Sequence, residues 1–136
     1  MSALEIALTK LEGAVLAPAG SNLALAEWTA QGSDGDEPLY QAPLHRHAED
    51  EAWYVLTGVL RVRAGDDEVE IGAGGAVVVP GGTPHTYWNP GREPARYLLV
   101  MGIRTWQLIQ AIHATDDRSP ENLRRLFEEH GGTLLE

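Results

Sequence analysis

The sequence contains no cysteine. A disulfide framework, a thiolate nucleophile and a cysteine-ligated metal are therefore excluded. Their absence agrees with a reducing compartment. Long apolar runs are missing as well, and no stretch approaches the roughly 18 residues a membrane-spanning helix needs. The opening MSALEIALTK carries no positively charged segment ahead of an apolar run, so no secretory signal is expected. The expectation is a soluble cytoplasmic protein without a membrane partner. Basic residues are scarce, 10 Lys+Arg against 20 Asp+Glu, giving a net charge of −10. Arg61/Arg63 and Arg124/Arg125 are too short to make a phosphate-binding surface, so nucleic acid is not an expected partner. No internal repeat and no low-complexity tract interrupts the chain.

What remains is an ordinary globular composition. The 136 residues are 43% hydrophobic and 22% charged, and a chain of that length buries roughly 70% of the surface its unfolded form exposes. The first twelve residues read as a short helix or an extended arm. From Ala14 to Ile103 short strand candidates alternate with turns. They are Ala14–Ala17, Asn22–Gln31, Leu39–His47, Trp53–Thr57, Val59–Ala64, Glu68–Ile71, Ala76–Val79, His85–Asn89 and Ala95–Ile103. Ala76–Val79 is wholly apolar, as a buried strand would be. Turn signals every 8–12 residues indicate a sandwich or barrel. The last thirty residues change character. Arg104–Ala114 places Trp106, Ile109 and His113 at helical spacing. Ser119-Pro120 pairs an N-cap with proline at the first helical position, and Leu123, Leu126 and Phe127 form an apolar stripe before Gly131. Two helices therefore follow an all-β region: a barrel over about 14–103 and a helical tail over about 104–136, together one domain.

The chemistry concentrates in four residues. His45 and His47 stand at i and i+2, and side chains two apart on a strand share a face. Glu51 follows past a short acidic turn, at the mouth of the next strand. His85 heads another strand beyond the Pro80-Gly-Gly82 turn. In a closed barrel these strands become neighbours, and three imidazoles meet one carboxylate. That donor set suits one divalent transition metal, with Fe, Mn, Ni, Zn and Cu all admissible. A six-coordinate ion held this way keeps two positions for water or substrate, whereas a tetrahedral one keeps none.

The spacing resembles the cupin superfamily. Its first motif runs His45-Arg-His47, three residues, Glu51, six residues, Gly58. Its second runs Gly74, five residues, Pro80-Gly-Gly82, two residues, His85, three residues, Asn89. Leu39 stands where the family often has glycine, which touches a turn and not a ligand. The resemblance implies a double-stranded β-helix, or jelly-roll, barrel with a metal inside it, held by His45, His47, Glu51 and His85. It also implies a homodimer. Small cupins with a helical tail include proteins similar to flavonol-cleaving dioxygenases, a looser likeness that leans the expectation toward dioxygen chemistry.

The remaining candidates are weighed against plainer roles. Glu49 and Asp50 compete with Glu51 as carboxylates, and spacing leaves them to solvent. His113 and His130 read as surface histidines, His130 favouring a helix C-terminus. Asn89 reads as a strand end fixed by side-chain to backbone hydrogen bonds. Trp53 shares parity with Glu51 and Tyr87 with His85, so both face the interior, either as substrate-pocket walls or as core. Trp88 has the opposite parity, while Trp28 and Tyr40 have no assignable place. The expected function is metal-dependent chemistry on a small organic molecule, of dioxygenase type. A Lewis-acid isomerase or lyase and a non-catalytic metal or metabolite sensor are the alternatives.

Overall fold

The computed structural model describes residues 10–135. Of the helix or arm read over the first twelve residues, 1–9 lie outside that range, and 10–12 belong to no helix or strand. Ten strands and two helices follow among the described residues. They are β1 (Val15–Leu16), β2 (Leu23–Ala30), β3 (His45–His47), β4 (Glu51–Thr57), β5 (Val59–Ala64), β6 (Asp67–Gly72), β7 (Ala76–Val79), β8 (His85–Trp88), β9 (Ala95–Gly102), α1 (Ile103–Ala114), α2 (Pro120–Glu129) and β10 (Gly132–Leu134).

The strands form two five-stranded sheets, ordered β1-β2-β9-β4-β7 and β10-β3-β8-β5-β6. Every pairing is antiparallel. This arrangement is consistent with a jelly roll, but the hydrogen bonding leaves two sheets and not one closed ladder. The core lies between them and follows the period-2 rule of strands. Trp53 and Val55 on β4, with Tyr97, Leu99 and Met101 on β9, turn inward from one sheet. Leu60 and Val62 on β5 and Tyr87 on β8 turn inward from the other.

Two glycines shape the approach to the site. Gly58 has φ +81°, and a Cβ there would meet Ala95 at 2.9 Å, so the β4–β5 turn passes close over the start of β9. A Cβ on Gly81 would stand 2.0 Å from the Ala48 carbonyl oxygen. That close approach lets the Gly81 N–H donate to the Asp50 carboxylate at 2.7 Å, and the Gly82 N–H to the His47 carbonyl at 2.7 Å. The β7–β8 turn is thereby clasped to the β3–β4 loop. Asp50 is exposed to solvent, as the sequence reading expects, and accepts this bond as well.

Three elements differ from the sequence expectation. The strand read over Leu39–His47 shrinks to His45–His47 plus an isolated bridge from Tyr40 to Trp88. Pro43 interrupts it, because proline has no N–H to give a ladder. The apolar run Ala76–Val79 is an edge strand, with Val78 64% exposed, and not a buried one. Finally, the described tail is not helical throughout. Gly131, at φ +79°, turns it into β10, which pairs with β3 in the register Gly132↔His47, Thr133↔Arg46, Leu134↔His45.

The two helices lie where the sequence places them. Ser119 caps α2 by accepting from the Asn122 N–H at 3.3 Å, with Pro120 in its first turn. Leu126 and Phe127 are buried in a small cluster with Leu108 of α1, and Leu123 packs on it. Trp106 and Ile109 of α1 pack against the main core instead. The helices thus roof one end of the space between the sheets.

Candidate metal centre and adjoining cavity

His45 and His47 project inward from β3, with the exposed Arg46 between them pointing away. His45 pairs in register with His85, the first residue of the neighbouring β8. Glu51 begins β4 in the opposite sheet, beside Val79 and Met101. Two histidine strands from one sheet and a carboxylate from the other therefore converge. All four side chains are buried, and their ligand atoms lie within 4.8 Å of one another.

The proton inventory of these rings is legible from their partners. His45 Nδ1 contacts the Pro43 carbonyl at 2.7 Å, His47 Nδ1 the Glu49 carbonyl at 2.8 Å, and His85 Nδ1 the Thr83 carbonyl at 2.8 Å. A carbonyl oxygen only accepts, so each Nδ1 carries the proton and donates it. In the neutral rings the three Nε2 atoms are then unprotonated, and face inward. Glu51 Oε2 lies 2.8 Å from His85 Nε2 and 3.4 Å from His47 Nε2. His47 Nε2 is buried and makes no hydrogen bond. An acceptor-only carboxylate against lone-pair nitrogens is repulsive unless a positive charge sits among them. A proton can relieve one contact, whereas a single cation relieves all of them.

The electrostatics point the same way. Burial, with the neighbouring His85, holds His45 down to about 4, so it stays neutral and ready to donate its lone pair. Burial also opposes protonation of His47, but the Glu51 carboxylate outweighs it and the net shift is upward. Burial pushes Glu51 up, yet the contacts from His47 and His85 overcome it and bring the carboxyl down to about 2. Glu51 is therefore ionised throughout the working range, the one fixed charge among four inward-facing donors. An orphaned buried nitrogen and this donor set fit a divalent transition metal. His45, His47, Glu51 and His85 are the residues that could hold it.

The loop between the two halves of the cluster does more than connect them. The backbone carbonyl of Glu49 orients His47, while its carboxylate accepts from the Thr105 N–H at 2.7 Å and the Thr105 hydroxyl at 2.8 Å. The N-cap position of α1 is Gly102, which has no side chain to do this. Glu49 is thus the missing cap, donated from two residues beyond His47, and its reading as a solvated carboxylate is corrected.

A cavity of about 460 Å³ joins the cluster to the helical roof. His45, Glu51, Tyr87 and Tyr97 line its inner end, and Leu108, Ile109, Ile112 and Phe127 its helical side. Of the two aromatic candidates, Tyr87 lines the cavity. Trp53 is fully buried, edge-on to His85 at 5.8 Å and Tyr87 at 5.2 Å, and is not part of the lining. Trp88 is buried against Tyr40, and Trp28 packs near Trp106 of α1 with ring centroids 6.2 Å apart. His113 lies at the cavity's helical end. His130 caps α2, its Nδ1 2.7 Å from the Leu126 carbonyl, as the helix-terminus reading expects. Asn89 bonds the backbone of Ala30, Glu93 and Gly91, which is the structural role read for it.

Sequence reasoning did not single out Tyr97, Glu49 or Phe127 for the site. Tyr97 shares strand parity with Leu99 and Met101, and that was the available signal for it. The Phe127 ring on α2 lies 5.4 Å from His45 on β3, a contact between elements far apart in sequence.

Comparisons with known proteins agree with this architecture. The family model described as the cupin domain matches residues 36–101, which contain both motifs. No curated protein matches the sequence. Among solved structures, a cupin protein from Bacteroides fragilis superposes with TM-score 0.56 at 12% identity, covering 70% of this chain and 79% of that one. A sugar phosphate isomerase from Silicibacter pomeroyi superposes with TM-score 0.52 at 21% identity, covering 60% and 51%. A variant of salicylate 1,2-dioxygenase from Pseudoaminobacter salicylatoxidans does so with TM-score 0.52 at 20% identity, covering 65% and 25%. The chain spans about half the length of the sugar phosphate isomerase, and likenesses at these identities establish the fold alone. Both motifs lie inside the region that matches the cupin domain, residues 36–101, and the fold around them is similar to that of cupin structures.

Proposed function

We propose that this protein is a metal-dependent enzyme acting on a small organic molecule, with a dioxygenase-type reaction favoured. One divalent transition ion would be held by His45, His47, Glu51 and His85. The observation that carries the reading is the cavity: it reaches the cluster at His45 and Glu51 instead of leaving it sealed. A purely structural metal has no need of such access. When bound, a redox-active ion would supply electron exchange with dioxygen and a Lewis-acid contact for a substrate oxygen.

The protein's own groups set what the cavity admits. Its volume lies in the range of small-molecule sites. Trp28, Leu99, Leu108, Ile109, Ile112 and Phe127 give it apolar walls, and Thr29, Gln41 and Thr105 add neutral polar groups. A sugar phosphate would need several hydrogen-bonding and cationic partners, and outside the cluster only His113 and Arg118 among the lining residues can carry positive charge. Arg118 already donates to the Ile112 carbonyl at 2.9 Å. An apolar substrate with an oxygen function fits better, which is why the oxidative reading stands ahead of the isomerase one. The test is oxygen uptake by protein reloaded with each candidate metal, across a panel of apolar oxygen chelates. Turnover without oxygen consumption would favour the Lewis-acid alternative.

A homodimer belongs to the same proposal, with a second copy of this chain as the occupant of one outer sheet face. Leu25, Val100, Ala52 and Val78 line up in register across β2, β9, β4 and β7 on that face. With Tyr54 beside them, 42% exposed, they form an apolar row where a solvated sheet would alternate to polar residues.

A further inference from the structure

Tyr87 on β8 and Tyr97 on β9 belong to opposite sheets, yet their hydroxyls meet at 2.8 Å inside the cavity that reaches Glu51 and His45. Two hydroxyls hold two protons. One is used in the bond between them, and among the described residues neither hydroxyl donates to any further acceptor. One O–H is therefore left over, facing a chamber whose helical side is formed by Leu108, Ile109, Ile112 and Phe127. A buried hydroxyl without an acceptor is costly, and a ligand oxygen would satisfy it.

The Glu51 carboxylate lines the same cavity, and its charge disfavours an anionic oxygen at this point. A neutral carbonyl accepts the proton without meeting the carboxylate's repulsion.

We propose that the Tyr87–Tyr97 hydroxyl pair is the oxygen-anchoring point of the cavity. It selects a ligand with an apolar, ring-sized body and a carbonyl oxygen, held beside His45 and Glu51. The inference rests on reading the cavity as the substrate site, but not on metal being bound. These tyrosines position the ligand's oxygen, while the apolar walls hold its body.

Acetophenone and its hydrocarbon counterpart α-methylstyrene serve as probes, titrated into the full chain by NMR after EDTA treatment and again after metal loading. The carbonyl stretch of bound acetophenone is red-shifted from its value in hexane if the phenol donates to it. In the Tyr87→Phe/Tyr97→Phe double variant the ratio of ketone to hydrocarbon affinity falls about two- to tenfold, the worth of one neutral hydrogen bond. Hydrocarbon affinity itself stays unchanged. A single Phe variant keeps one free hydroxyl and so retains part of the preference. A hexane-like stretch in the wild-type protein overturns the proposal, as does an unchanged ratio in the double variant or a failure of acetophenone to bind saturably. Metal affinity, measured separately, keeps the two readings apart. Loss of metal binding with the ketone preference intact removes only the metal assignment, whereas metal binding without the preference removes only this one.

Discussion

At the scale of single residues, the site is a problem of charge and proton placement. Three Nδ1–H groups are spent on backbone carbonyls, which leaves three lone pairs and one carboxylate facing one another. Glu51 and His47 should therefore fail differently. In Glu51→Gln the shell keeps its shape but loses its only fixed charge, and metal affinity should drop more than about 100-fold, beyond the 10–100-fold typical of groups that only orient ligands. Any water on the remaining bound metal should become more acidic, because a dication then faces only neutral donors. His47→Ala should lose affinity without that acid shift. Titrating metal and following the pH profile of both variants checks this, and identical profiles would remove Glu51 from the shell. Protons should compete with metal as pH falls. The competition begins above the ordinary histidine range, because Glu51 raises His47, while His45, held at about 4, contributes little until strong acid. Equal affinity at pH 8 and pH 5 would contradict it. Without metal, the depressed carboxyl of Glu51 adds stability above pH 4.5 that is lost as pH falls toward 2. The four candidate ligands were legible in the sequence because strand periodicity and motif spacing are local signals. Tyr97 was not, because its partner Tyr87 sits on the other sheet and only the closed fold brings the hydroxyls together.

At the scale of elements, the cluster and the helical tail are tied together through one short loop. Glu49 orients His47 with its carbonyl and caps α1 with its carboxylate. Glu49→Ala should lower stability by about 1–2 kcal/mol, the usual worth of a helix cap with a charged acceptor, measured by denaturant unfolding. The His47 ring bond uses backbone and survives the change, so metal affinity should move far less than stability. A stability unchanged within error would mean that α1 is held by packing alone. Most strands were readable, since Gly and Pro mark the turns between them. The failures have physical causes. Pro43 shortens the strand before His45. The run Ala76–Val79 has the composition of a buried strand but an edge position, which composition cannot register. β10 is only three residues long and gains its identity from pairing with β3, a contact far away in sequence.

At the scale of the whole molecule, the two sheets supply the frame, and the helices turn its open end into a chamber. The cupin-like fold follows from the motifs and the strand pattern, whereas the reaction does not, because one fold hosts many chemistries. The apolar row across β2, β9, β4 and β7 should make the protein sediment at twice its monomer mass, and Val78→Glu should shift it to monomer. A wild-type monomer at high concentration would remove that interface. The central claim is tested most directly by metal stoichiometry. Protein prepared without a metal-affinity tag is stripped, titrated with divalent transition metals and read by elemental analysis and calorimetry. The account predicts one ion per chain in the wild type, and binding sharply weakened in both Glu51→Gln and His47→Ala. Folded protein that takes up no ion at this stoichiometry, or variants that bind as tightly as the wild type, would contradict it.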